Sequence, residues 1–159
     1  MYEIGDYVIH RKGGVWRVAD IQRDAPGANP TGYLLSAHEN SENTINVPVD
    51  SGEIVRKIID KEALSEALER IPYIRTIQAP KDKLRKELYD EAMSKYDEIE
   101  WLRVIKSVYL RRGQKRLMPS EMAYLAEAQR YLHGEASVLL EISSDSVEAY
   151  IAGSVANVT

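Results

Sequence analysis

Residues 54–71 read IVRKIIDKEALSEALERI, and the period of the apolar residues changes within this stretch. Up to residue 59 the apolar residues form a short run typical of a β-strand, and beyond it they recur at the three- and four-residue spacing of a helix. Asp60, at the change, has a side chain suited to a helix N-cap. The sequence therefore predicts an α+β chain, with a β module over residues 1–59 and an all-α helical module over residues 60–159.

The β module contains five short runs of strand type, separated by Gly, Pro and Asn turns. Gly13-Gly14 is typical of a hairpin turn, and residues 25–32, APGANPTG, predict a loop. Pro48 ends the fourth run because proline cannot donate to a strand ladder. Short strands in one meander usually close into a small barrel that covers their edges. We expect such a barrel or meander from strands over residues 4–9, 15–21, 33–36, 44–48 and 54–59.

The second module contains residues that are typical of the beginnings and ends of helices. Asp97 with Glu100 resembles a capping box, and Ser120 is a candidate N-cap. Pro80 suits the first turn of a helix, and Gly134 either ends a helix or is tolerated within a longer one. The predicted helices cover residues 61–71, 81–94, 98–112 and 121–132, followed by a short helix that begins at residue 144.

Composition narrows the classes of function. The chain has 159 residues, of which 44% are hydrophobic and 29% charged, as in an ordinary globular protein. It has no cysteine, which excludes disulfides, thiolate metal sites and cysteine nucleophiles. The N-terminal stretch MYEIGDYVIH lacks the pattern of a secretory signal, and no apolar run is long enough to span a bilayer. We therefore expect a cytoplasmic protein with no membrane partner.

The titratable residues give little support to an enzyme. His10, His38 and His133 fall in different predicted elements, and no pair of them has metal-ligand spacing. We interpret all three as surface or edge residues. Gly13-Gly14 is not followed by the lysine of a phosphate loop, and no nucleophile is paired with a base in the sequence. The sequence predicts a non-enzymatic protein with no catalytic residue, metal or cofactor.

The charge distribution is uneven. The chain has a formal net charge of −4, yet residues 101–116, WLRVIKSVYLRRGQKR, hold six Lys/Arg and no acid. Arg103 and Lys106 fall outside the apolar stripe of this predicted helix, whereas Trp101 lies within it. One or two basic residues would complement the helix dipole, so a cluster of four also favours phosphate contact, and both interpretations stay open. The cluster at the C-terminal end comprises Arg111, Arg112, Lys115 and Arg116.

Several motifs, in order along the chain, carry a family resemblance. They are IGDYVI at 4–9, VADI at 18–21, YLL at 33–35 and INVP at 45–48, then VIK at 104–106, LRR at 110–112, LMPSE at 117–121 and LAEA at 125–128. Together they resemble the CarD/CdnL-type bacterial transcription regulators. The N-terminal module of this family also occurs as the polymerase-interacting domain of the transcription-repair coupling factor.

The resemblance implies a Tudor-like β module that binds the RNA polymerase β subunit. In the family an arginine of the fourth strand contacts polymerase, and Asn46 stands at the matching position here. A second family arginine, near the end of the second strand, falls at Asp24, so the neighbouring Arg23 is expected to supply the charge. The surface expected to bind polymerase, in part by strand addition, comprises Arg23, Tyr33, Leu35, Asn46 and Pro48.

The resemblance also implies that the helical module contacts promoter DNA, without reading sequence, near the upstream edge of the open bubble. Several family members insert a Trp at the fork, and the matching stretch here, residues 80–86 (PKDKLRK), has none. Leu84 is the candidate apolar wedge. The residues expected to surround it are Lys81, Lys83, Arg85 and Lys86, and the further expected phosphate contacts are Lys106, Arg111, Arg112, Lys115 and Arg116.

Two interpretations of the function follow from the resemblance. The first is a regulator that binds polymerase and stabilises the open promoter complex, and that is monomeric when free. The second is an adaptor or competitor that binds polymerase and has no contact with DNA. An enzyme is the third and weakest class, because the sequence holds no convergent site.

Overall fold

The computed structural model describes residues 1–141 and 143–156. The chain divides into two compact units, Met1–Ile58 and Ile59–Thr159. Within the described residues the first unit holds the strands and the second holds the helices, which confirms the α+β class.

The first unit is one five-stranded antiparallel sheet, in the order β4-β3-β2-β1-β5. The expected closed barrel is not formed: the sheet is open, with β4 and β5 at its two edges. The chain follows a meander through the first four strands, after which β5 pairs with β1 on the far side. Because β5 joins β1 and not β4, the outer side of β4 has no strand partner in the sheet. The strands are β1 Tyr7–His10, β2 Val15–Arg23, β3 Pro30–Ala37, β4 Thr44–Pro48 and β5 Ile54–Lys57.

Glycines shape two parts of this sheet. Gly13 and Gly14 both have positive φ, 130° and 83°, in the predicted hairpin between β1 and β2. Gly32 extends β3 into the segment predicted as a loop, where it pairs with Gln22. A Cβ at position 32 would lie 2.7 Å from the Gln22 Oε1 atom. The absence of a side chain at Gly32 thus lets Gln22 cross over β3.

One face of the sheet forms the core of the first unit. The indole of Trp16 is 6% exposed, and its Nε1 donates a hydrogen bond to the Gly13 carbonyl at 2.8 Å. This bond satisfies the only polar atom of a buried indole and ties it to the hairpin. The buried residues of this core are Val8, Trp16, Val18, Tyr33, Leu35 and Val47.

Helices fill the second unit, and most begin where capping chemistry predicts. The predicted N-cap is confirmed at Asp60, which accepts the Ala63 N–H at 2.8 Å. Asp97, predicted as part of a capping box with Glu100, is the N-cap of the third helix and accepts the Ile99 N–H at 2.6 Å. The first helix ends earlier than predicted and is followed by a short 3₁₀ helix, Ile71–Tyr73. The α-helices are α1 Lys61–Glu69, α2 Asp82–Met93, α3 Glu98–Gly113, α4 Pro119–Leu140 and α5 Ser144–Ala156.

Three helix boundaries differ from the prediction. Pro80 precedes the N-cap of α2, which is Lys81, and so lies outside the first turn. Ser120 does not cap α4, because that helix begins at Pro119 with Met118 as N-cap. Gly134 is buried inside α4, so the longer of the two predicted helices forms.

The core of the helical unit is aromatic at its centre. Trp101, which is fully buried, stacks on Tyr131 with the ring centroids 4.9 Å apart. His133 is also buried, 7% exposed, and in the first unit His10 is 3% exposed. The prediction that these two histidines lie at the surface is therefore wrong. Burial lowers the pKa of both imidazoles and favours their neutral forms. Among the described residues, no helix is both long and apolar enough to cross a membrane.

Candidate functional site

Within the part of the chain that the structure describes, the outer side of β4 presents backbone groups that no strand pairs with. The Val49 N–H donates to the Thr31 carbonyl and the Ala37 N–H to the Asn43 carbonyl, so the odd-numbered residues of β4 face β3. Hydrogen-bonded and non-hydrogen-bonded pairs alternate along an antiparallel ladder. The backbone N–H and C=O of Thr44 and Asn46 therefore point away from the sheet.

Pro48 limits this outer edge at one end. Proline has no N–H, and its position in the outward-facing set leaves the ladder to β3 intact. Its carbonyl accepts the Ser51 Oγ–H at 2.8 Å and the Ser51 N–H at 3.2 Å. The Asn46 side chain is held by Gln22, whose Nε2 donates to Asn46 Oδ1 at 2.6 Å. The outer edge of β4 thus offers the complete backbone pairing groups of Thr44 and Asn46.

The other residues predicted to bind polymerase differ in exposure. Tyr33 is 4% exposed and Leu35 is fully buried, so both side chains belong to the core beneath β4. Their side chains cannot contact a bound partner directly, and they can contribute to binding only by holding the strands of the sheet in position. Arg23 is exposed at the end of β2 and donates from Nη1 to the Ala28 carbonyl, across the loop that precedes β3.

In the helical unit, Lys106 is structural. The sequence pattern predicts that Lys106 lies outside the apolar stripe, but its side chain is buried, with 6% exposed. Nζ donates to the carbonyls of Ile71 and Ile74, at 2.7 and 2.9 Å, and lies 3.4 Å from that of Pro72. These carbonyls belong to the 3₁₀ helix and the residue after it, where helical hydrogen bonding runs out. Lys106 is thus occupied inside the fold and is not available to a phosphate.

Arg111 takes part in a buried network. Its Nε lies 2.9 Å from both carboxylate oxygens of Glu121, which is fully buried. The same carboxylate accepts the Tyr89 hydroxyl at 2.6 Å and the Met118 N–H at 2.9 Å. Burial, together with the hydrogen bond to Glu121, raises the pKa of Tyr89 and keeps its phenol protonated. The network joins α2, α3 and α4 around one carboxylate.

Arg85 is also engaged internally. Its side chain is 10% exposed, and Nη1 lies 2.7 Å from Asp82 Oδ1. Nη2 donates to the Ala79 carbonyl at 2.7 Å. Arg85 therefore fixes the chain that enters α2, and its charge is already balanced by Asp82.

The remaining predicted DNA contacts are exposed and form two groups. Leu84, 42% exposed, lies in the first turn of α2 among exposed lysines. The second group lies at the C-terminal end of α3, with Arg112 in the last turn of the helix and its guanidinium 5.0 Å from the centre of the Tyr109 ring. The first group comprises Lys81, Lys83, Leu84 and Lys86. We call the second group, Arg112, Lys115 and Arg116, the basic turn.

Residues 2–59 match the family model described as the CarD-like/TRCF RID domain. No curated protein matches the chain. RID domains are named for their interaction with RNA polymerase, so the match suggests transcription-related binding of RNA polymerase. RID domains are protein-interaction modules and not catalytic ones.

The match to the RID domain coincides with the open sheet, including both of its edges. Of the residues predicted to bind polymerase, Asn46 and Pro48 lie on the β4 edge, and Arg23 lies exposed on β2. The matched residues thus include a strand edge that is unpaired in the described sheet, and such an edge is a common site for adding a partner strand.

Two features of the helical unit were not evident from the sequence pattern. Glu121 lies in the LMPSE motif, where an acid beside a Ser is typical of the start of a helix. That pattern does not indicate the role of Glu121 at the centre of a buried network. The connection between α1 and α2, residues 70–81, is fixed by side chains of α3. Only the tertiary contacts show this arrangement.

Proposed function

We propose that the protein is a non-enzymatic bacterial transcription regulator that acts in the cytoplasm. Its RID domain binds the RNA polymerase β subunit through the β4 edge, and its helical unit contacts promoter DNA and stabilises the open complex. The single observation that carries the proposal is the match to an RID domain with an unpaired strand edge at the positions implied by the family resemblance.

Strand addition is the mode of polymerase binding that the edge favours. Thr44 and Asn46 together supply two N–H groups and two carbonyls to an incoming strand. Main-chain hydrogen bonds give affinity in such complexes, and flanking side chains give specificity. Pro48 stops the pairing at one end, and Arg23, exposed at the end of β2, can contact an acidic residue of the partner. Tyr33 and Leu35 hold the strands in place from beneath.

For DNA, the exposed cations of the helical unit support contacts to phosphates without base readout. The basic turn offers three such contacts, for which log affinity should fall against log salt with a slope of about −2.7. Leu84, exposed among the lysines at the start of α2, is the proposed apolar wedge between phosphate-binding arms. Contacts made only to the open complex shift the closed–open equilibrium toward it.

The lifetime of the open complex on one promoter at fixed salt tests the regulator. The wild-type protein should lengthen the lifetime, and Lys81→Ala/Lys83→Ala/Lys86→Ala should reduce that effect while polymerase binding persists. Lys61→Ala, at an exposed lysine of α1, is the control and should behave as wild type. An unchanged lifetime with bound wild-type protein would refute the role in promoter opening.

A second candidate is an adaptor that binds polymerase without contacting DNA. The observation that favours it is the internal engagement of Arg85, Lys106 and Arg111, which removes three of the ten residues expected to contact DNA. The lifetime measurement separates the candidates, because an adaptor binds polymerase and leaves the lifetime of the open complex unchanged.

A further inference from the structure

The connection between α1 and α2, residues 70–81, borders two adjoining depressions on the α3 side. Their volumes are about 430 and 630 Å³, in the range of ligand-binding clefts. The two depressions share Ile74, Arg75 and Arg103 in their linings and therefore adjoin, and we call the two together the groove. The smaller depression is lined by Arg70, Tyr73, Ile74, Arg75, Ile99 and Arg103.

Side chains of α3 hold this connection in one conformation. Besides the three carbonyls at Lys106, the Arg75 carbonyl accepts from Arg103 Nε at 3.0 Å, and the Ile77 N–H donates to Ser107 Oγ at 2.7 Å. Ser107 in turn donates to the Arg103 carbonyl at 2.6 Å. The backbone that carries Tyr73 and Arg75 is therefore fixed before any ligand arrives, which lowers the entropy lost on binding.

The chemistry of the smaller depression combines an aromatic ring with cations. Tyr73 is 84% exposed, although a large aromatic side chain gains free energy from burial. Three arginines line the same depression: Arg70, Arg75 and Arg103. Glu100 lies 3.6 Å from Arg103 and offsets part of that charge. The depression is thus cationic with an accessible ring, and neither Tyr73 nor Arg75 belongs to the surface at the start of α2.

We propose that this groove binds single-stranded nucleic acid, with one base stacked on Tyr73 and the adjacent phosphates contacted by Arg70 and Arg75. An aromatic platform beside cations is the combination that single strands use, because every base has a flat face and every nucleotide a phosphate. The inference rests on the proposed function for its biological ligand, the unpaired strand of the open promoter, and deepens it by assigning that strand to a second surface.

Fluorescence anisotropy with the full chain tests the proposal on two probes, a labelled oligothymidylate and a labelled duplex. Tyr73→Ala should weaken binding of the oligothymidylate at least about 5-fold, the lower end of the effect of stacking one base. Tyr73→Phe should retain most of the affinity. Tyr150→Ala, at a 57% exposed tyrosine of α5, is the matched control and should change neither probe's affinity.

A second variant tests the phosphate contact. Arg75→Ala should reduce the magnitude of the salt slope for the oligothymidylate by about 0.7, the contribution of one phosphate on a single strand. Duplex binding should instead depend on the basic turn and be unaffected by either variant. A structural role of Tyr73 or Arg75 would not separate the two probes in this way.

Three results would overturn the inference. Oligothymidylate binding that is insensitive to both variants would exclude this groove, and equal losses for both probes would show a general phosphate surface. Displacement by polyglutamate that depends on Arg75 and not on Tyr73 would show a site for an acidic peptide. In each case duplex binding through the basic turn is measured independently of the groove, so failure of this inference and failure of the proposed function are distinguishable.

Discussion

Replacing Glu121 by Gln should destabilise the helical unit strongly. The substitution preserves the shape of a fully buried side chain but removes the charge that faces Arg111 Nε at 2.9 Å. It also places an amide NH₂ among donors, because Tyr89 and Met118 both donate to this carboxylate. Removing one partner of a buried ion pair costs about 3–5 kcal/mol. Since the Arg111 side chain is 15% exposed and partly hydrated, we expect about 3 kcal/mol, near the lower limit.

Thermal unfolding of the full chain, followed by circular dichroism at the helical band, measures this effect, because all α-helices of the described residues lie in the second unit. For a unit of this size 1 kcal/mol shifts Tm by about 4–8 °C, so Glu121→Gln should lower Tm by more than about 10 °C. Glu87→Gln, at an exposed carboxylate of α2, is the control. If the two variants melt within about 2 °C of each other, the buried network does not stabilise the unit and the reasoning fails.

Three further predictions concern single residues. Lys106→Met should lower the free energy of unfolding by about 3 kcal/mol, because buried carbonyls lose a charged donor. It should leave the salt slope of duplex binding unchanged, and a reduced slope would show that Lys106 contacts phosphate. Leu84→Trp should lengthen the open-complex lifetime and Leu84→Ala should shorten it, since a larger apolar wedge offsets more of the cost of unstacking a base step; three equal lifetimes would exclude the wedge. Burial lowers the pKa of His133 in the folded state. The unfolded chain therefore binds a proton at this residue below pH ~6.5 that the folded chain does not bind, so the free energy of unfolding should fall as the pH drops through that value. His133→Asn should reduce this loss, and an unchanged pH dependence would contradict it.

Local signals in the sequence predicted the elements well. Turn chemistry predicts the hairpin at Gly13-Gly14 and the end of the fourth strand at Pro48, and that strand forms over the predicted residues 44–48. The limits of the other strands differ from the prediction, and β1, for example, begins at Tyr7 and not at residue 4. The cap at Asp60 was predicted from its side chain alone. These features depend on interactions within a few residues, which a sequence pattern records directly.

Long-range pairing was not predictable in the same way. The pairing of β5 with β1, which leaves the sheet open, depends on residues far apart in the chain and has no local signature. Lys106 falls at a position that pattern analysis assigns to solvent, because lysine is rarely buried. Its burial follows from three carbonyls more than thirty residues earlier in the sequence, which meet it only in the folded unit.

The candidate site was predictable in part. Asn46 and Pro48 were identified by resemblance, and the structure adds that the backbone of Asn46 faces outward at an unpaired edge. The chemistry of Arg85 and Arg111 is that of a phosphate ligand, yet each has an internal carboxylate partner. The number of charged residues can be counted from the sequence, but the sequence does not show which of those charges are neutralised by an ion pair inside the fold.

Binding of the purified RNA polymerase β subunit to two variants at residue 46 tests the central claim most directly. Asn46→Pro removes the outward-facing N–H, at an edge position where proline is tolerated, and Asn46→Ala removes the side chain while retaining that N–H. With both variants shown to be folded, strand addition predicts that Asn46→Pro binds up to about 10-fold more weakly than wild type, because one hydrogen bond contributes up to about 1.4 kcal/mol. Asn46→Ala should bind nearly as well as wild type. Equal affinity of the wild type and Asn46→Pro would contradict polymerase binding through the β4 edge.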